Sequence, residues 1–344
     1  MMAREISFGD RQHEHPSSCY VLPSLPLKLQ SQPLFYLPFV MGIPFSISKM
    51  TPTNLLAGIQ QSYFNGKPTW SERDIPDLSG QVIIVTGGNS GLGKETVRAL
   101  LEHNAKVYMA CRSRAKADAV IAELRELTGK EAVFLELDLA DLASVRAATK
   151  EFLSKEDELH VLYNNGGIMT PPLELVTPGG YDLTFGTNVL GHFYLTKLLL
   201  PTLIATAATN PGAGRVVTLT SMIHYLSVPD YKTFKDGPAR LKANPSDLYS
   251  QSKWACAVFA AELARRYGGQ GIISTSVNPG NLKTDIAKDT FGLALLITKM
   301  LMIWPVEWGY IAPWGRVAKA RKDVDDPKNG KELWEWLEEQ VERL

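Results

Sequence analysis

The chain has 344 residues, 45% of them hydrophobic, enough to bury the core of one large α/β domain with appendages. Thirty-six Lys and Arg balance 36 Asp and Glu, so no net field recruits nucleic acid or an anionic membrane. Three cysteines, Cys19, Cys111 and Cys256, are too few and too scattered for a disulfide framework or a metal site, which suits a reducing compartment.

No uninterrupted apolar stretch reaches the roughly 18 to 20 residues of a membrane-spanning helix. The longest candidate, 291–305, contains Lys299. The first fifteen residues mix Arg4 and Arg11 with Glu5, Asp10 and Glu14, unlike a secretory signal or an acid-poor presequence. A soluble, cytoplasmic protein is expected.

From the amino terminus, prolines at 16, 23, 26, 33, 38, 44 and 52 recur too often for a helix or central strand, so 1–52 reads as an extended, disordered leader. A short helix over 55–63 and an irregular approach complete 53–80. From Gln81 to Leu344 a single domain is expected, in which strands and helices alternate as in a doubly wound parallel sheet. "QVIIVTG", "KVYMAC", "AVFLELDL", "HVLYNNG", "RVVTLTS" and "ISTSVNPG" are the strands. The helices between them begin near Gly91, run through Leu127, and cover 142–153, 186–208 and 248–267. Such a chain places a nucleotide site at the carboxyl ends of its strands. The last helix, 330–343, spaces Leu333, Trp336, Leu337 and Val341 along one face, for packing on the body or on a dimer partner.

"TGGNSGLG" at 86–93 lies between a buried strand and a helix start. Gly87, Gly91 and Gly93 allow a tight turn whose N–H groups approach a pyrophosphate; an ordinary glycine-rich turn is the plainer alternative. At the end of the second strand, NAD sites place an acid on the ribose hydroxyls, whereas NADP needs a cation for its extra phosphate. Arg112 stands there, with Arg114 and Lys116 close by, so NADP(H) is favoured over NAD. Arg112 read alone is a solvated helix-start residue. Asp138 is a candidate acceptor for the adenine amino group, or else a helix cap.

"YSQSK" at 249–253 puts Tyr249 and Lys253 one helical turn apart on the same face. A phenol with a pKa near 10 is a poor acid–base at neutral pH, and an adjacent ammonium favours the phenolate. The spacing alone is common. Ser221, at the end of the preceding strand, can donate to a substrate oxygen and turns the pair into a constellation.

With these motifs, and with "ACR" at 110–112, "LDLADL" at 137–142, "NNGG" at 164–167, "TNVLGHF" at 187–193 and "NPGNLKTD" at 278–285, the sequence resembles the short-chain dehydrogenase/reductase family. The similarity is closest to its retinol-dehydrogenase-like fungal branch, common in secondary-metabolite biosynthesis. The resemblance covers about 64–290 and resumes at the C-terminus. It implies a Rossmann fold and a catalytic set in which Asn188 supports a water-linked proton relay, Ser221 polarises the carbonyl, Tyr249 moves the proton, and Lys253 binds the nicotinamide ribose. Asn188 read alone is a helix-interior amide bonded to backbone. Leu92 and Asn165 are implied as cofactor-wall positions, Leu282 and Thr284 as contacts to the nicotinamide end, and Lys197 as a further cofactor-binding position.

Three departures from that pattern stand out. "NNGG" replaces NNAG, so a methyl group is missing beside the cofactor, which is read at Gly167. Thr220 stands where a second serine is common. Between "LMIWPVE" and "WGYIAPWGR" the chain lacks about a helix and its connection. The apolar sequence "FGLALLITKMLMIW" lies in the 281–305 region where the resemblance implies a substrate lid. It points to a small hydrophobic substrate and leaves room for peripheral membrane contact and a homo-oligomer; core packing is the plainer alternative. An NADP-dependent carbonyl reductase or alcohol dehydrogenase is thus expected. The alternatives are a catalytically silent nucleotide- or partner-binding protein and an epimerase or lyase on the same scaffold.

Overall fold

The computed structural model describes residues 56, 71–280, 320–342 and 344. The chain divides into two compact units, 1–41 and 42–344, and all the described residues belong to the second. The expected leader, the helix over 55–63 apart from Leu56, the apolar stretch 291–305, Leu282, Thr284 and the shortened connection at 307–308 lie outside the described residues.

Six strands, β1 (Val82–Thr86), β2 (Lys106–Cys111), β3 (Val133–Glu136), β4 (Val161–Asn164), β5 (Arg215–Leu219) and β6 (Ile273–Val277), form one sheet in the order 3-2-1-4-5-6. All pairings are parallel, as in a Rossmann-like doubly wound fold. β1 is buried at every position, which its run of Val and Ile anticipates. The order reverses between β1 and β4, and sheets of this kind hold their ligand crevice there, at the carboxyl ends of the strands.

The longer helices among the described residues are α1 (Gly91–Glu102), α2 (Arg114–Thr128), α3 (Leu142–Leu153), α4 (Gly191–Thr209), α5 (Pro245–Tyr267) and α6 (Pro327–Val341). Side-chain caps set several starts: Asp141 Oδ1 accepts from Ala143 N at 2.9 Å, Asn244 Oδ1 from Ser246 N at 2.9 Å, and Asp326 Oδ1 from Lys328 N at 2.9 Å. α5 and α6 each follow their cap with a proline in the first turn, whose missing N–H costs nothing there. Gly129, at φ 71°, ends α2.

One apolar cluster joins the sheet to α3, α4, α5 and α6, and another joins it to α1 and α2. α6 packs on the body of the chain. Its buried stripe is Leu333, Trp334, Leu337 and Val341, while the expected Trp336 is only half-buried, edge-on to Phe185 and Phe234 at 5.5 Å. The helical run Leu183–Thr209 has the length and mean hydropathy to cross a membrane, though 67% of that apolar window is buried inside the protein. A count of uninterrupted apolar residues passes over it because Lys197 and several threonines intervene.

Candidate active site

The phosphate turn forms where β1 ends. Gly87 and Gly91 take φ 66° and 47°, values that favour glycine. Gly93 has no room for a side chain: a Cβ there would overlap the Gly87 carbonyl oxygen and sit 2.6 Å from Asn165 Nδ2. Ser90, the N-cap of α1, makes no side-chain bond to the helix, so the first-turn N–H groups keep their capacity for an anion. Leu92 is buried beside them. A cradle of this kind fits a dinucleotide pyrophosphate. Asn165 lines it from just past β4, donating Nδ2 to Thr86 O at 2.7 Å.

Arg112 follows β2 directly, exposed, and has no ion-pair partner among the described residues. Arg114 by contrast lies 3.7 Å from Asp118 and 4.9 Å from the centre of the Phe134 ring. Asp138 acts as a turn former: Oδ1 accepts from Ala140 N at 2.9 Å. Among the described residues the second carboxylate oxygen is left for another donor.

The position that departs from NNAG is Gly166. A methyl group there would meet Leu139 Cδ1 at 2.9 Å and Thr86 Oγ1 at 3.3 Å, under the phosphate turn. Gly167 instead faces two of the candidate catalytic residues, since a Cβ at 167 would lie 3.0 Å from Asn188 Oδ1 and 3.8 Å from Lys253 Nζ. Lys197 is not brought to the crevice. Five helical residues past His192 turn it about 140° away, and it pairs with Glu338 on α6.

Asn188 sits in a single π-turn, Gly186–Leu190, that leads into α4. Its side chain bonds Ile168 in both directions, Oδ1 from N at 2.9 Å and Nδ2 to O at 3.0 Å, with a second Nδ2 bond to Ser252 Oγ at 3.0 Å. The bond to backbone that its residue type suggests is therefore made. Its own carbonyl faces His192 Nδ1 at 3.0 Å and Cys256 Sγ at 3.4 Å.

Ser221 follows β5, and its Oγ accepts from Ile223 N at 3.4 Å, which leaves the O–H to donate. Three bonds staple α5 to this strand end: Lys253 Nζ to Leu219 O at 3.0 Å, Thr220 Oγ1 to Lys253 O at 2.6 Å, and Ser250 Oγ to Ile223 O at 2.6 Å. Tyr249 and Lys253 are both buried, with Nζ 5.8 Å from the centre of the phenol ring. Burial pushes the Tyr249 phenol up and the Lys253 ammonium down. The expected lowering of the phenol by its lysine does not emerge: burial, with Cys256 beside it, raises the phenol, which favours the neutral acid.

Several residues of the site were not anticipated. His224 Nδ1 lies 2.6 Å from Ser221 O, and its Nε2 accepts from Arg321 N at 3.4 Å. The buried Arg321 side chain donates to the carbonyls of His224, at 3.1 Å, and Ser227, and to both oxygens of Asp323 at 2.6 Å. Thr86 and His192 meet beneath the phosphate turn. Sequence offered one signal, the histidine inside "TNVLGHF".

Residues 81–292 match the family model described as short chain dehydrogenase. A short-chain dehydrogenase/reductase of Armillaria gallica is 51% identical over 296 residues, covering 80% of this chain and 94% of that protein. Among solved structures, an uncharacterized protein from Mycobacterium paratuberculosis superposes with TM-score 0.60 at 29% identity, covering 79% of this chain and 97% of that one. A short-chain dehydrogenase from Sphingobium yanoikuyae in complex with NADPH shares the fold, with TM-score 0.52 at 19% identity over 66% of this chain and 80% of that one.

Proposed function

Because the chain belongs to the short-chain dehydrogenase/reductase family, we propose that it is an NADP-dependent oxidoreductase interconverting a carbonyl and an alcohol, with Tyr249 as general acid–base. The observation that carries this reading is the set of three bonds between α5 and residues 219–223 at and just past the end of β5, which fixes Tyr249 and Lys253 against the segment that carries Ser221. Gly87, Gly91, Leu92, Gly93 and Asn165 would hold the dinucleotide, Lys253 its ribose, and Arg112 the extra phosphate that distinguishes NADP. When bound, the nicotinamide supplies or accepts a hydride.

The protein's own groups manage the oxygen. Ser221 donates its O–H to the substrate oxygen, and Tyr249, kept protonated by burial, hands over its phenolic proton as the carbonyl becomes an alcohol. The reverse reaction needs the phenolate, for which the Lys253 charge is the available support. The apolar sequence at 291–304 supports a small hydrophobic substrate, and a place in secondary-metabolite biosynthesis is proposed from the resemblance to the fungal branch of the family. A cytoplasmic setting supplies the NADPH pool.

Purified full-length protein and its Tyr249→Phe variant, assayed for NADPH oxidation over a panel of ketones and aldehydes, test the proposal. The expected result is turnover by the wild type, a loss of roughly 10²- to 10⁴-fold in the variant, and equal NADPH binding by both. NADPH binding with no turnover of any panel member would sink it.

A further inference from the structure

Thr86 closes β1 one residue before the phosphate turn, and its hydroxyl is a crowded junction. Oγ1 accepts from Asn165 N at 2.9 Å and from Gly166 N at 2.8 Å. It also lies 2.8 Å from His192 Nε2 and 3.2 Å from Tyr163 O. On the far side of the imidazole, Nδ1 is 3.0 Å from Asn188 O.

These contacts fix one tautomer. A carbonyl only accepts, so Nδ1 carries the proton; Nε2 of the neutral ring is then an acceptor, and the single Thr86 O–H proton goes to it at 2.8 Å rather than to Tyr163 O at 3.2 Å. The hydroxyl's lone pairs are left for the Asn165 and Gly166 amides, which they receive. The ring is buried and its pKa falls to about 4, chiefly by desolvation and further by Lys253, against the bond to Asn188. It stays neutral at physiological pH.

The two ring nitrogens reach two different parts of the site. Through Thr86 the imidazole touches the crevice between β1 and β4, where the sheet order reverses and the phosphate turn begins. Through Asn188 it touches the π-turn, whose side-chain amide is bonded to Ser252 on the catalytic helix α5.

We infer that His192 is a positioning residue that joins the nucleotide crevice to the catalytic helix, holding the Thr86 hydroxyl with Nε2 and the Asn188 carbonyl with Nδ1–H. The inference rests on the NADP-binding reading above. A glutamine at 192 can present an acceptor near the Nε2 position, an asparagine can present a donor near the Nδ1 position, and a phenylalanine offers neither.

The test compares full-length wild type with His192→Gln, His192→Asn and His192→Phe by NADPH fluorescence titration, thermal melting and ¹⁵N-histidine NMR. The wild-type resonance missing from all three variants should report Nδ1–H with unprotonated Nε2. Glutamine should keep the NADPH Kd within about twofold, while asparagine and phenylalanine weaken it roughly tenfold, the worth of one buried hydrogen bond. An Nε2–H tautomer, or equal NADPH affinity in the glutamine and asparagine variants, would overturn the inference. So would affinity losses that merely track Tm across the three. Failure of the wild type itself to bind NADPH would sink the nucleotide reading first and the inference with it, which separates the two failures.

Discussion

Arg321 grips His224 at two points, its backbone N–H on Nε2 at 3.4 Å and its guanidinium on the carbonyl at 3.1 Å. Because His224 Nδ1 in turn lies 2.6 Å from Ser221 O, the segment preceding α6 holds the loop that carries Ser221. Arg321→Ala would leave the His224 and Ser227 carbonyls without those donors in a buried setting. It should destabilise the protein by about 2–4 kcal/mol, and Arg321→Lys by less, because the ammonium reaches fewer acceptors. Urea unfolding of the three proteins checks this.

Gly93→Ala places a methyl group against the Gly87 carbonyl and the Asn165 amide, both belonging to the walls of the cradle. NADPH affinity should fall about tenfold or more, with a stability cost of about 1–3 kcal/mol. Gly268→Ala, where a Cβ meets nothing within 4 Å, serves as the neutral control. Fluorescence titration and melting of both variants provide the comparison.

At Arg112 the expected effect is selective. A cation just past β2 with no ion-pair partner among the described residues can meet a ribose phosphate, so Arg112→Ala should weaken NADPH by roughly 10- to 100-fold, the worth of a charge-assisted hydrogen bond of about 1.5–3 kcal/mol. NADH binding should barely change. Equal losses for both nucleotides would remove Arg112 from the phosphate site.

Acid should weaken the fold through two buried imidazoles, His192 and His224. Burial, the largest cause, lowers both His192 and His224 from 6.5 to about 4. Between those values the unfolded chain binds protons that the folded chain refuses, so stability falls as pH drops from 6.5 towards 4, by on the order of 3 kcal/mol per histidine, and is unaffected above that window. Urea midpoints at pH 8 and pH 5 should differ less in His192→Gln than in the wild type.

The parts of the molecule that sequence reveals are those specified by neighbours along the chain. β2 at 106–111 and α3 at 142–153 fall where their residues indicate, and Tyr249 and Lys253 share a face because four residues make a helical turn. α5 starts three residues ahead of the expected 248 because Asn244 and Pro245 form its cap and first turn, a signal present in "ANPSD". The π-turn before α4 leaves no such trace, since every residue from Gly186 to Thr196 is buried and the amphipathic rhythm that would betray a register change is absent. Long-range partners are equally silent in sequence: Thr86 and His192 lie 106 positions apart, His224 and Arg321 97. The direction in which Tyr249 shifts depends on desolvation by the folded body, which motif spacing does not encode.

The amides of Asn165 and Gly166 are held by a threonine side chain rather than by a neighbouring strand. Their exchange with solvent deuterium is therefore gated by rotation of one hydroxyl-bearing side chain, while amides in the adjoining ladder of β1 and β4 await a larger opening. These two backbone positions form a built-in gauge of how firmly the crevice is closed, readable by mass spectrometry without a substrate.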